Sequence, residues 1–376
     1  MPGPFYDVGV DKRVPGILAP ILITVAVLVA LQPGIGYVSA SDRNQVVNYI
    51  EMEAADAAIP DANPSQVTPP TANTEQVIEP KKEIRDIEPA TSKLPYYNDE
   101  QWALDRIGID ALWQSTTGNP EILVAVLDTG INACHEDLEG QVAAGANFVD
   151  SPSCDDKHGH GTHIAGIIGA LENSTGITGV APESRLLNVK VADDTGKCTA
   201  SALADGIIWA ADNGASVINI SIEIAEKSTG LEEAVNYAWS EGCLVVGAAG
   251  NDGSHSPVYP AGYEHCIAVA ATDRSDGLAL LSNHGEWVDM AAPGSGIYST
   301  LPDNHYGLKT GTSFACAHIS GVAALLFDIA VDSNNNGRLN DEVREALESE
   351  CHCINTPGTG NGLLDAAGVT STLDIY

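Results

Sequence analysis

Four polar residues in this 376-residue chain have types and settings that chemistry could use. Ser313 lies in "GTSFACAHISG", behind Gly-Thr and ahead of a run of small residues that reads as a helix. Asp128 ends the apolar run "ILVAVLD" and enters a Thr-Gly turn. His160 lies in the glycine-rich stretch "HGHGTHIAGIIG", and Asn251 closes "CLVVGAAGN". A hydroxyl becomes a nucleophile when a base lies within hydrogen-bond reach, a carboxylate orients that base, and a donor meets the developing oxyanion. Ser, His, Asp and Asn supply those four roles. Each also has an ordinary structural reading: Ser313 as a helix cap, Asp128 as a turn former, His160 as a satisfied loop histidine, Asn251 as a left-handed turn residue. His158, His160 and His163 together pose zinc as an alternative, without a His-Glu-x-x-His spacing to support it.

The elements that must position these residues are legible after Leu94. Short apolar, β-rich runs ("ILVAVLD", "SRLLNVKVAD", "SVINISI", "CLVVGAAGN", "CIAVAATD", "WVDMAAPG") alternate with helix-like stretches such as "ASALADGIIWAADNG" and "SFACAHISGVAALLFDIA". The runs are continuous rather than alternating, as in a parallel sheet covered on both faces. The expected fold over 94–376 is therefore one α/β domain, a doubly wound and mostly parallel sheet flanked by helices on both faces. Ligand sites in such sheets lie at the carboxyl ends of the strands. Asp128 and Asn251 fall at such ends, and His160 and Ser313 open helices.

Composition narrows the function. There are 17 Lys+Arg against 51 Asp+Glu, a formal net charge of -34, which argues against nucleic acid as a partner because phosphates need a basic face. Lys12 and Arg13 precede an apolar run from Ile17 to Leu31, followed by "QPGIGYVSA". This is the layout of an export signal cut after Ala40, or of a membrane anchor using residues 17–38. Residues 41–93 are proline-rich and aperiodic, which predicts a disordered linker or pro-segment. Export makes disulfides among the eight cysteines plausible, and Cys243–Cys266 is the expected pair because both open strands that could be neighbours.

The blocks "VAVLDTGI", "HGHGTHIAGIIG", "INISI", "VVGAAGN" and "GTSFACAHISGVAALL" resemble the subtilisin-like serine proteases, and "LEEAVNYAWSEG" and "MAAPGSGIYST" resemble the thermitase branch. The resemblance runs from Tyr96 to Val369, and the order Asp, His, Ser matches. It implies a serine endopeptidase acting on proteins or peptides, with Asp128, His160 and Ser313 as triad and Asn251 as oxyanion donor. Only His160 fits the first histidine of the family's His-Gly-Thr-His. The resemblance also places Ser221, Ile222, Glu223, Gly196 and Gly250 along the substrate cleft. A zymogen matured between Ala90 and Tyr96, and a monomer, are expected.

Several positions depart from the family pattern. Phe314 stands where the family has Met, and Ala317 where it has Pro. Glu223 and Cys198 each replace a cleft glycine, which predicts a narrower specificity and, through Glu223, a preference for basic side chains. Calcium is the expected structural ion. One candidate site is family-like: Asp137 with Asn173, Thr175 and Ile177. The other, "DSNNNGRLNDE", sets Asp332, Asn334, Asn336 and Gly337 at EF-hand-like positions 1, 3, 5 and 6. Position 12 of that loop is Val343, with Glu342 one residue early.

Overall fold

A computed structural model describes residues 97–354 and 356–371. The expectations for residues 1–40 and 41–93 lie outside them. Nine strands form one sheet in the order β10-β11-β7-β6-β5-β4-β1-β3-β2. Its centre is β1 (Leu123–Asp128), paired with β3 (Arg185–Lys190) on one side and β4 (Ala215–Ile220) on the other. Beyond β3 lies β2 (Val142–Asn147). Beyond β4 lie β5 (Leu244–Ala248), β6 (Cys266–Thr272) and β7 (Met290–Pro293). All of these pairs are parallel, and only β10 (Cys351–His352) on β11 (Leu363–Leu364) is antiparallel. A separate hairpin joins β8 (Ile297–Leu301) to β9 (His305–Lys309).

The continuous apolar runs are explained by burial on both faces. Along β1, Val124 and Val126 pack into one core while Ala125 and Leu127 pack into the other. The first core lies under α3 (His160–Gly169), α6 (Thr312–Ile329) and α7 (Asn340–Ser349), with the short α1 (Trp102–Ile107) and α2 (Ile109–Leu112). The second lies under α4 (Ala200–Asp212) and α5 (Thr229–Ser240). Strand order reverses between β3-β2 and β4 to β7, so the crevice outside β1 and β4 is the topological switch point.

Helix α6 makes this arrangement possible. It is 18 residues long and almost wholly buried, and it is the only helix among the described residues apolar and long enough to cross a membrane. Its 89% burial identifies it as a core helix. Small residues let it lie close to its neighbours: a Cβ on Gly321 would stand 2.5 Å from Val180 Cβ. Ala317 continues the helix where proline would remove a backbone donor.

Two expectations are corrected here. Strands β5 and β6 are neighbours, but Cys266 lies opposite Val245 and Cys243 precedes β5. The two residues are therefore out of register, and both thiols are free and buried. Burial pushes Cys243 up to about 12 and raises Cys266 as well. Cys198 also turns inward to the second core, so its side chain does not narrow the cleft.

His318, inside α6, hydrogen-bonds the Phe314 carbonyl oxygen at 2.8 Å, and burial pushes its imidazole down to about 4. The unfolded chain takes up that proton near its ordinary value of 6.5 while the folded chain does not, so stability falls as pH drops from 7 towards 4. His163, buried and also lowered, adds to the slope. Denaturant titrations across that range should show this acid limb, partly flattened in His318→Gln. An unchanged limb in that variant would show that His318 titrates normally.

Candidate active site

The switch-point crevice gathers the residues singled out by type and spacing. Asp128 is the last residue of β1 and is fully buried. His160 is the first residue of α3, with Nδ1 at 2.8 and 3.0 Å from the two Asp128 carboxylate oxygens. That contact makes Nδ1 the protonated nitrogen of the neutral ring and leaves Nε2 as its basic end. Burial alone would raise the Asp128 carboxyl. The charge and hydrogen bond of His160, with the Thr129 N–H at 2.7 Å, outweigh it and hold the group below the ordinary aspartate value.

The start of α3 has an unusual cap. Its N-cap residue, Gly159, has φ 84° and no side chain to offer the exposed N–H groups. Asp156 does this from the preceding loop. Its carboxylate accepts from the backbone of His158, Gly159 and Thr162, and from the hydroxyls of Thr129 and Thr162. Gly161 must be glycine, since a Cβ there would collide with the Gly130 carbonyl. On the other side Lys309 Nζ donates to Gly159 O at 3.2 Å, and burial lowers its ammonium. His160 is thus held by its neighbours' backbone. The three histidines do not converge: His163 turns its Nε2 to Gly307 O at 3.1 Å, and no group of three metal-ligating side chains occurs among the described residues.

Ser313 is the second residue of α6 rather than its cap, a position taken by Gly311. Its Oγ donates to the Ser221 carbonyl at 3.3 Å, and Ser221 Oγ returns a bond to the Ser313 carbonyl at 3.1 Å. The helix-cap reading of Ser313 therefore does not describe its contacts. Ser221 is oriented by Asn219, whose Nδ2 donates to its Oγ at 3.0 Å. Asn219 Oδ1 in turn accepts from Ser320 at 2.9 Å and from the Cys316 thiol at 3.3 Å, both on α6. Phe314 packs its ring 5.6 Å from that of His160 and 4.7 Å from that of His163, filling the space beneath the catalytic imidazole candidate.

Asn251 lies three residues beyond β5, and its Oδ1 accepts from Thr312 N at 2.9 Å and Thr312 Oγ at 3.2 Å. The amide oxygen being engaged there, Nδ2 is the end that can donate elsewhere. Ser313 N, in the first turn of α6, is one of the helix N–H groups without an intrahelical acceptor. The two donors and the α6 dipole suit an anionic oxygen. Thr312, Asp156, Asn219 and Lys309 carry much of this geometry. An aspartate just ahead of "KHGHG" and a threonine just ahead of Ser313 were the available signals for two of them.

The cleft residues fall in three places. Ser221, Ile222 and Glu223 extend β4, and Gly250 extends β5, with φ 97°. Gly196 lies in the turn after β3, its N–H bonded to Asp193 O at 3.0 Å. The carboxylate of Glu223 crosses to Gly250, where a Cβ would collide with it and with the Asn283 amide.

The two loops read as calcium sites differ. Asp137 is buried and accepts from Asn173 Nδ2 at 3.0 Å, Thr175 Oγ at 3.4 Å, Ile177 N at 2.9 Å and the Tyr306 hydroxyl at 2.9 Å. A cation there would have to displace these donors. In the other loop Asp332 accepts from Asn336 N and Gly337 N, and Asn336 Oδ1 accepts from Arg338 N. Val343 turns into the core, whereas Glu342 Oε1 bends back to Ser333 and Asn334. Asp341 Oδ1 and Glu342 Oε2 are buried with no hydrogen-bond partner.

Comparison with known proteins agrees with this architecture. The model of the subtilase family matches residues 119–368. The chain is 46% identical over 266 residues to the thermophilic serine proteinase of Bacillus sp. (strain AK1), covering 70% of this chain and 65% of that one. It is 43% identical over 267 residues to thermitase of Thermoactinomyces vulgaris, covering 70% and 93%. To subtilisin Savinase of Lederbergia lenta it is 40% identical over 271 residues, covering 72% and 98%.

A serine in this setting should react with a fluorophosphonate. Intact-mass measurement on the full chain should find one adduct, absent in Ser313→Ala and strongly slowed in His160→Ala. Equal labelling of wild type and Ser313→Ala would place the reactive group elsewhere.

Proposed function

This chain belongs to the subtilase family of serine endopeptidases, and from that premise we infer that it cleaves peptide bonds through Asp128, His160, Ser313 and Asn251. The observation that carries this reading is the Asp128–His160 pair at 2.8 Å in the same crevice as the N-terminus of α6. Ser313 Oγ turns from the Ser221 carbonyl towards His160 Nε2, which takes its proton as the oxygen attacks the scissile carbonyl. Asp128 keeps the ring in the required tautomer and stabilises the imidazolium. Asn251 Nδ2 and Ser313 N–H receive the oxyanion. His160 protonates the leaving amine, the peptide C–N bond breaks, and water repeats the sequence on the acyl-enzyme. Residues 1–40 support export, with the peptidase domain outside the cell and residues 41–93 as linker or pro-segment. A cleft restricted on one wall, at Glu223, supports a narrower substrate range than a general degradative enzyme has.

The catalytic assignment is tested with peptide hydrolysis. Asn251→Ala should lower kcat by roughly 10²–10³, as loss of one oxyanion donor does, with KM little changed. A fall confined to KM would assign Asn251 to substrate binding alone.

We also propose a structural calcium ion in the Asp332–Glu342 loop, held by Asp332, Asn334 and Asn336, where Asp341 Oδ1 and Glu342 Oε2 lie buried without a donor. Two carboxyl groups buried side by side are costly, and a divalent cation in the adjoining loop would offset that charge. Calcium should raise the Tm of the wild type, and the rise should vanish in Asp332→Ala while persisting in Asp137→Asn. The reverse pattern would move the ion to the Asp137 loop.

A further inference from the structure

We infer that Glu223 makes the crevice beside Ser313 a receptor for a cationic side chain, so that cleavage occurs after arginine and lysine; this rests on the peptidase reading and names its substrate class. The geometry begins with the attacked carbonyl. It must lie about 3 Å from both Ser313 Oγ and the oxyanion donors. Asn251 fixes one side of that position, and the preceding residue, Gly250, is a bare backbone step in the left-handed region. The substrate residue that owns the carbonyl therefore starts its side chain beside Gly250. The carboxylate at that point is Glu223, reaching across from the extension of the neighbouring strand.

Both walls are held in place before any ligand arrives. Ile224, next to Glu223, exchanges two backbone bonds with Tyr259, at 2.7 and 2.9 Å. On the facing wall the fully buried Asn283 accepts from Asp252 N at 3.0 Å and Ser254 N at 2.8 Å, and donates its amide to Ala249 O at 2.9 Å. Its backbone N–H donates to Gly250 O at 2.8 Å. A carboxylate on such a frame loses little freedom when it meets a cation. A guanidinium or ammonium there forms a charge-assisted hydrogen bond that an uncharged side chain of equal length cannot form. The net charge of -34 adds long-range attraction for cationic peptides.

The test uses the full chain and two quenched-fluorescent peptides that differ only before the scissile bond, one with arginine and one with citrulline, its uncharged near-isostere. The wild-type kcat/KM ratio should favour arginine by ~10- to 100-fold, the range of a hydrogen bond to a charged group. The ratio should shrink as salt is raised. It should approach one in Glu223→Gln and recover in part in Glu223→Asp. Arginine and citrulline peptide aldehydes give the same contrast as inhibition constants on the wild type, independent of how the variants fold. A fluorophosphonate-reactive wild type that cleaves both peptides equally would overturn this inference and leave the peptidase reading intact. Absence of both adduct and cleavage would overturn both.

Discussion

The active-site geometry depends on how α6 is fastened to β4. Asn219 sits inside the sheet with its amide fully buried, and each end of that amide is bound. Its oxygen takes hydrogen bonds from Ser320 and Cys316 on the helix, and its nitrogen gives one to Ser221, which gives one to the Ser313 carbonyl. A buried amide cannot slide without leaving a polar atom unpaired, a loss of about 1–3 kcal/mol each. The small residues of α6 bring the helix close enough for these bonds, and the bonds then set its height and rotation. Ser313 inherits its position from that register, to which the bond between its carbonyl and Ser221 contributes.

The other half of the site is built by backbone geometry and buried charge. Asp128 is held at the end of a central strand, and His160 at the head of a helix whose cap is borrowed from Asp156. Neither residue has to be ordered when substrate arrives, which is how a fixed polar site gains over water. The proposed substrate contacts are placed differently, on strand extensions beyond β4 and β5, where Glu223 and Gly250 face each other. Beyond Ser221, which the Asn219 bond holds, the segment bearing Glu223 is anchored through Tyr259, and Gly250 is bonded to Asn283. Changes in side-chain preference can therefore leave the chemistry in register.

Much of this was legible in the chain. Continuous apolar runs announce a sheet covered on both faces, and β1 shows why: its successive side chains enter two different cores. Asp128 and His160 were legible because each follows a sharp change of local character, from strand to turn and from glycine loop to helix. Other features depend on three-dimensional register, which linear spacing does not carry. Cys243 and Cys266 look like partners along the chain, yet one lies before its strand and the other opposite Val245. Cys198 reads as a rim residue and points into a core. Asn219 is a polar letter within a mostly apolar strand, and only the arrival of α6 gives its amide oxygen two partners. Glu342 likewise reads as misplaced by one residue, until the helix start at Asn340 turns it back on its loop.

The chain order of the crevice bears on when the site can exist during synthesis. Asp128 and His160 are 32 residues apart and can meet early, but Ser221 and Ser313 are 92 residues apart. Contacts of such separation close late, because the intervening loop must first lose its entropy. Here the intervening segment contains β5, β6 and β7, on which α6 rests. On the proposed assignment, a nascent chain holds its base and carboxylate well before its nucleophile, and stays incapable of attack until α6 docks. Latency during folding is a property of the topology itself, apart from anything the N-terminal segment adds.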